Sequence, residues 1–524
     1  MTKEIKTALI SVSDKANIVD FAIFLNKRGV KILSTGGTSK ILKGAGIEVV
    51  DVSDHTGSPE IMDGRVKTLH PKIHGGLLGK RDDSNHLAAM DEHNIDPIDM
   101  VVINLYPFEE TVAKGAAFDE CIENIDIGGP SMIRSAAKNH KDVVVITNPE
   151  SYEDIKAEME ENNGSVSSDK KRALALEAFS KTASYDSAIS NWFCKQEDII
   201  FPGTFNISSK QKQVLRYGEN PHQKAALYVN DSTVPGVANA KQLQGKELSY
   251  NNIADTDAAF DLVSEFTETK DEVACAIIKH ANPCGVAIGS DIIDAYRRAL
   301  ACDPVSAYGG ILAFNTCFTG EMATELGKLF AEVIIAPSFD KEAKEILSRK
   351  KNLRILETGK MPDADRQQMM SKSIAGGLLL QNRDDSTCDE SKLEIVTKRK
   401  PTDQEMEDLL FAFRIAKHVK SNAIVFAKDN ATVGIGAGQM SRIDSSRIGA
   451  WKAKETATSV ENAAGSVFAS DAFLPFADGL VSAAEHGITA VIQPGGSIRD
   501  DEVIQAADER DIAMIFTGQR HFRH

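Results

Sequence analysis

The chain has 524 residues, 42% of them hydrophobic and 26% charged, with 60 Lys plus Arg against 76 Asp plus Glu and a formal net charge of −16. At roughly 100–200 residues per domain this is too long for one core and sets about three folding units. The acidic balance excludes nucleic acid or an anionic membrane as main partner, since both need a broad basic face, and no apolar run reaches the roughly 18 residues of a membrane span.

The opening MTKEIKTALISVSDK has neither a long apolar core nor a cleavage pattern, so no signal peptide is expected. Seven scattered cysteines without a CxxC pair point to free thiols in a reducing cytoplasm. TALISV (Thr7 to Val12) reads as a strand, with Ser13 and Asp14 expected as helix caps. Ile18, Phe21, Ala22 and Leu25 then recur at helical spacing up to Gly29. A second strand, VKIL, runs into Ser34-Thr35-Gly36-Gly37-Thr38 and a helix ending near Gly46. Such strand–helix alternation predicts a doubly wound parallel sheet. At a strand's carboxyl end, STGGT offers backbone amides, hydroxyls and a positive helix end to a phosphate. It is neither GxGxxG nor a Walker loop, so no dinucleotide or ATP is implied.

DGRVKTLHPKIHGG (Asp63 to Gly76) gathers Arg65, Lys67, His70, Lys72 and His74 in an acidic chain. With Pro71 inside and glycines around it, the segment is expected to be a structured cationic loop, not an amphipathic helix. It would hold an anion or a developing negative charge. DMVVINLYPF (Asp99 to Phe108) is a buried strand delivering Asn104 and Tyr106. IDIGGPSMIRSAAKN (Ile125 to Asn139) presents Asp126 before a helix that carries Lys138, with Pro130 in its first turn. A Tyr hydroxyl, an Asp and several Lys at strand ends make an acid–base and oxyanion set.

Together SVSDK, STGGT, DGRVKTLHPKIHGG, NLYPF and IDIGGPSMIRSAAKN resemble the inosine monophosphate cyclohydrolase domain of the bifunctional purine-biosynthesis enzymes. The resemblance implies a methylglyoxal-synthase-like α/β fold over residues 1–200. Carried over by motif, Lys67, Tyr106, Asp126 and Lys138 would be catalytic. Ser13, Lys15, Ser34, Thr35, Gly36, Gly37, Thr38, Arg65 and Thr68 would line the nucleotide pocket. A non-catalytic ligand sensor of the same fold would keep STGGT without needing those four together.

WFCKQEDIIFPGTFNISSKQK has little periodicity, and a junction is expected near residues 198–206. LRYGENPHQ follows, with Arg216 and Tyr217 beside a Gly-Glu-Asn-Pro turn. In ACAIIKHANPCGVAIG an apolar strand ends on Lys279 and His280, and Asn282-Pro283-Cys284-Gly285 is expected to turn the chain. Adjacent Lys and His at a strand end suit oxyanion stabilisation and proton transfer. The Pro-Cys echoes zinc deaminases, but the second Cys and the H-x-E partner are missing, so no catalytic metal is expected. KSNAIVFAKDNATVGIGAGQMSRI (Lys420 to Ile443) reads as a hairpin with an Asp-Asn turn, and its likeness to the 274–289 segment points to two related subdomains. SDAFLPFADG offers Phe473 and Asp478, and the chain ends QRHFRH.

LRYGENPHQ, KHANPCG, SAYGG, KSNA, GIGAGQMSRI and SDAFLPFADG resemble the aminoimidazole-carboxamide ribotide formyltransferase region of the same bifunctional family. That implies, over residues 206–524, two cytidine-deaminase-like α/β subdomains, a cytoplasmic homodimer, and 10-formyltetrahydrofolate as formyl donor. The implied partners are small molecules: the ribotide, its formylated form, inosine monophosphate and the folate. By motif Lys279 and His280 would be catalytic. Arg216, Tyr217, Asn422, Arg442 and Arg520 would contact the ribotide, with Arg523 as the alternative to Arg520. Ile443, Phe473 and Asp478 would belong to the folate side.

Overall fold

The computed structural model describes residues 3–230, 233–267, 272–363, 368–455 and 464–524, without the side chains of Asp63 and Lys328. It divides into two compact units, Met1–Ser209 and Lys210–His524. Among the described residues no helix is long and apolar enough to cross a membrane.

In the first unit, β1 (Thr7–Val12), β2 (Lys31–Ser34), β3 (Val50–Asp51), β4 (Met100–Asn104) and β5 (Val144–Ile146) form an all-parallel sheet in the order β3-β2-β1-β4-β5. The strands are almost wholly apolar because helices cover both faces. Helices α1 (Ile18–Lys27), α2 (Gly36–Gly44), α3 (Pro71–Leu78), α4 (Gly128–Lys138) and α5 (Ser168–Gln196) do the covering. Strand order reverses between β1 and β4, and a crevice opens there at the carboxyl ends. Two local expectations are corrected. Ser13 and Asp14 do not cap α1, which starts after Asn17; their amides go to Asn104 Oδ1 at 2.5 and 2.8 Å. The second half of the cationic segment is helical, because Pro71 occupies the first turn, where its missing N–H costs nothing, and His70 Nδ1 accepts the Lys72 amide at 3.1 Å.

The second unit begins with a ribbon of β6 (Lys210–Leu215) and β7 (Ala225–Val229). Its first half then runs β8 (Lys241–Gln244), α6 (Tyr250–Ser264), β9 (Val273–Lys279), β10 (Asn282–Gly289), α7 (Ile292–Cys302), β11 (Gly310–Phe314), β12 (Ala331–Ala336) and β13 (Arg354–Glu357). A second ribbon pairs β14 (Met369–Ile374) with β15 (Gly377–Asn382). The second half repeats the first: β16 (Glu394–Ile395), α8 (Asp403–Ala416), β17 (Ile424–Lys428), β18 (Ala431–Gly436), α9 (Arg442–Glu455), β19 (Val467–Ser470), β20 (Ala490–Gln493) and β21 (Ala513–Phe516). The two halves share one mixed sheet of 12 strands, ordered β16-β21-β20-β19-β17-β18-β10-β9-β11-β12-β13-β8, which reads alike from either edge.

The seam is the antiparallel contact of β10 with β18, in register at Ala287 and Ala431. Thr432 Oγ1 reinforces it, accepting the Val286 amide at 2.9 Å and donating to the Val286 carbonyl at 3.2 Å. Leu262 and Phe266 of the first half share a buried cluster with Leu409 and Phe413 of the second. Both central hairpins turn on residues with left-handed backbone: Asp429 and Asn430 (φ 53° and 58°), and His280 and Ala281 (φ 54° and 57°). The first pair suits that conformation; for Ala281 it costs about 1–2 kcal/mol. The turn after β9 is therefore His280-Ala281, and Asn282-Pro283-Cys284-Gly285, expected to turn, is the start of β10.

The C-terminal tail is tied down by a buried polar network. Arg523 donates to His418 Nδ1 at 3.3 Å, and His418 Nε2 lies 2.9 Å from Glu265, which also takes Lys417 Nζ at 2.9 Å. Burial keeps the His418 ring neutral, so Nε2–H donates and Nδ1 accepts. Burial alone would raise the Glu265 carboxyl, but the His418 hydrogen bond and the Lys417 ammonium bring it below an ordinary 4.5. Its contribution to stability is therefore complete above pH 4.5 and is lost as pH falls below that through the depressed pKa. Denaturant melts across that window should show the second unit losing a few kcal/mol, at about 1.4 kcal/mol per pKa unit. Lys417→Met should flatten that loss.

Candidate functional site

The crevice of the first unit is a cavity of about 690 Å³. Two helix starts border it. Thr35 precedes α2 without capping it, since its hydroxyl bonds Ser11 Oγ at 2.8 Å. The first-turn amides of Gly36 and Gly37 line the cavity beside it, a ready arrangement for an anion. Lys15 Nζ reaches Thr38 Oγ1 at 3.0 Å and the Val12 carbonyl, and burial lowers its pKa. A Cβ on Gly36 (φ +43°) would stand 3.2 Å from Lys67 Nζ, so the glycine lets the ammonium lie against the backbone. Lys67 pairs with Glu60, and Arg65 with Glu123.

Across the cavity the two glycines that start α4 clear space for their neighbours. A Cβ at Gly128 would lie 2.5 Å from Thr68 Oγ1, and one at Gly129 would lie 2.5 Å from Asp126 Oδ2. The Gly129 amide donates to Asp126 Oδ1 at 2.8 Å, and the Asp126 amide donates to the Tyr185 hydroxyl at 2.8 Å. Burial raises the Asp126 carboxyl, partly opposed by the Gly129 and Tyr106 amides. The Tyr106 hydroxyl is raised as well, by burial and then by the Asp126 charge.

Ser13, Lys15, Thr35, Gly36, Gly37, Thr38, Arg65, Lys67, Thr68, Tyr106 and Asp126 thus meet around one cavity. Two expected members do not. Ser34 is fully buried and donates to the Ile10 carbonyl at 2.7 Å. Lys138 is the exposed last residue of α4, ten residues and about 15 Å of helix from Gly128 at the cavity. Glu60, Glu123 and Tyr185 were not anticipated: acidic residues in a cationic site go against its sign, and Tyr185 comes from α5, 59 residues beyond Asp126.

In the second unit Lys279 ends β9 and donates to the Tyr308 carbonyl at 2.9 Å, and His280 is exposed on the turn. Antiparallel pairing carries this turn toward the end of β18 and the start of β17. There the Lys420 amide donates to Asn282 Oδ1 at 3.0 Å. Two residues on, Asn422 lines a second cavity of about 290 Å³ with Gly438, Met440, Phe522 and His524. Arg442 starts α9, bonds Ser470 and the fully buried Asp471, and lies 6.0 Å from the Phe522 ring. Arg520 lies over the same ring, 4.6 Å from its centroid, while Arg523 is held by His418 and Asp261. Phe473 is partly exposed on the stretch after β19, Asp478 starts the short helix Asp478–Ala484, and Ile443 follows Arg442 in α9. Arg216 and Tyr217 sit after β6, stacked at 5.7 Å, on a segment tied to α6 by the Asn251 bond to the Glu219 carbonyl. Neither lines the Asn422 cavity. Phe522 was missed in sequence because nothing in QRHFRH separates a stacking ring from a tail residue.

An MGS-like domain model matches residues 17–131, and the AICARFT/IMPCHase bienzyme model matches residues 136–452. Proteins named "Bifunctional purine biosynthesis protein PurH" are similar over the whole length. That of Parvibaculum lavamentivorans is 59% identical over 100% of this chain and 98% of its own. That of Bradyrhizobium diazoefficiens is 57% identical (100% and 99%), and that of Rhodospirillum rubrum 58% (99% and 99%). The chain belongs to the AICARFT/IMPCHase bienzyme family, whose members formylate aminoimidazole-carboxamide ribotide and close the product to inosine monophosphate.

Proposed function

We propose that the two reactions are carried by separate clusters: cyclisation by the first-unit cavity, formyl transfer by the Lys279–His280 turn with Asn422, Arg442 and Arg520. The observation that carries the first assignment is the Lys67 ammonium seated over Gly36 between two helix starts. In cyclisation the substrate's carboxamide nitrogen attacks the neighbouring formyl carbon, and the formyl oxygen leaves as water. Both groups sit on one ring, so the substrate itself supplies proximity. What remains is to stabilise the oxygen that gains charge and to move protons. Lys67 and the Tyr106 hydroxyl, which its raised pKa keeps protonated, serve the oxygen. Asp126, with its raised pKa, accepts the nitrogen's proton. Lys15, Arg65, Thr68 and the α2 amides hold the ribotide phosphate.

For formyl transfer the donor is 10-formyltetrahydrofolate. His280 takes the proton of the attacking amine, and Lys279 assists departure of the folate nitrogen. Arg216 and Tyr217 contact the ribotide, and Ile443, Phe473 and Asp478 form the folate side. Each half of the second unit is cytidine-deaminase-like, a reading supported by the repeated topology. The working form is a cytoplasmic homodimer. Exposed Met370, Ile374, Leu378 and Leu379 on the β14–β15 ribbon support the dimer, and seven free cysteines support the compartment.

Purified protein given the ribotide and formyl-folate should yield inosine monophosphate; active folate without product would sink the reading. Lys67→Ala should lower cyclisation of pre-formylated ribotide by about 10²–10³-fold while formyl transfer persists. His280→Ala should do the reverse, and loss of both activities in either folded variant would contradict separate sites. Because Asp126 must be ionised to accept a proton, cyclisation should fall with acid through an inflection above the ordinary 3.8 of a carboxyl. Asp126→Asn should remove that inflection along with most of the rate.

A further inference from the structure

Ala281 holds a left-handed conformation that it does not favour, next to His280 in the same conformation, whereas the equivalent turn of the second half uses Asp429 and Asn430, which favour it. In each half one helix carboxylate accepts both turn amides. Asp255 on α6 takes the His280 amide at 3.2 Å and the Ala281 amide at 2.8 Å. Asp408 on α8 takes those of Asp429 and Asn430 at 2.9 and 2.7 Å. The match extends to the helix starts. Ser249 and Asn252 form a capping box before Asp255, Thr402 and Glu405 form one before Asp408, and each aspartate lies six residues past its cap. The device is thus part of the repeated framework, and only in the first half does it hold a reactive side chain. In the second half the turn is further clamped by Arg298, which bonds the Asp429 and Ile288 carbonyls.

We infer that Asp255 is the positioning residue of the formyl-transfer site, an inference that rests on the role given above to Lys279 and His280. Two charge-assisted hydrogen bonds fix the backbone of an intrinsically unfavoured turn, and so aim the imidazole and the neighbouring ammonium. Asp255 acts through these two backbone amides and takes no proton of the reaction itself. A carboxamide in its place accepts one amide but sets its own N–H₂ against the other, which releases the turn. Asp408 supplies a matched comparison, since its turn residues favour the conformation, Arg298 also holds the turn, and no His stands there.

The test compares Asp255→Asn, Asp408→Asn and His280→Ala in the full chain, measuring kcat and KM for formyl transfer, cyclisation of pre-formylated ribotide, and Tm. Asp255→Asn should lower the formyl-transfer kcat by about 10–100-fold, the scale of misplacing a reacting group by about 1 Å. Its KM for the ribotide should change little and cyclisation should persist. Asp408→Asn should lower Tm comparably and leave kcat near wild type. Adding Ala281→Gly to Asp255→Asn should recover part of kcat, because glycine enters the left-handed region freely. Wild-type kcat in Asp255→Asn, a loss confined to KM, or an equal kcat loss in Asp408→Asn would overturn the positioning role. Absence of recovery by glycine would also overturn it. Retained formyl transfer in His280→Ala would instead overturn the reading on which the inference rests.

Discussion

The second unit depends on one contact, the antiparallel seam between β10 and β18. Each half alone would leave a hydrophobic sheet edge exposed, a liability that pairing removes. The seam also decides which residues of the two halves meet. Because the strands run in opposite directions, the turn that begins β10 meets the far end of β18, where Lys420, Asn422 and Gln439 lie. A residue from one half is thereby set beside residues from the other, without a long loop to carry either. The reverse juxtaposition, with Asp429 and Asn430 near the end of β10, is filled by Arg298. The repeated topology makes two such places, and adjacent Lys and His stand at only one of the two turns.

The first unit solves a different problem: how an acidic chain concentrates positive charge. Its means are mostly backbone. The switch in strand order opens a crevice, helix starts supply oriented amides, glycines at 128 and 129 let Thr68 and Asp126 approach closer than a Cβ would allow, and Gly36 leaves room for Lys67. Lys15, Arg65 and Lys67 then need to add only local charge. Glu60 and Glu123 pair with Lys67 and Arg65, so two of these cations are balanced by nearby carboxylates.

Much of this was legible in sequence because it is periodic or punctuated. The parallel sheet of the first unit follows from strand–helix alternation, and the 424–436 hairpin from Asp-Asn between two β-type runs. The gathering of Thr35 to Thr38 with Tyr106 follows from their places after the carboxyl ends of β2 and β4, and Arg65, Lys67 and Asp126 join them from the loops before α3 and α4. What escaped was set by direction or by distance along the chain. Lys138 shares a helix with the glycines at the cavity but lies at its opposite end, and Ser34 faces the core one residue before Thr35 faces the cavity. The helix at Pro71 was obscured because proline breaks a helix in its interior but starts one well. Asp255 and Tyr185 act through the backbone of residues 25 and 59 positions away, a relation that local pattern does not carry.

The composite nature of the formyl-transfer site is the central claim, and a crystal structure of the protein with aminoimidazole-carboxamide ribotide bound in the second unit tests it most directly. The expected result is one ligand contacted by Lys279 or His280 from the first half and by Asn422 or Arg442 from the second. A ribotide held by residues of one half alone, away from the seam, would contradict it.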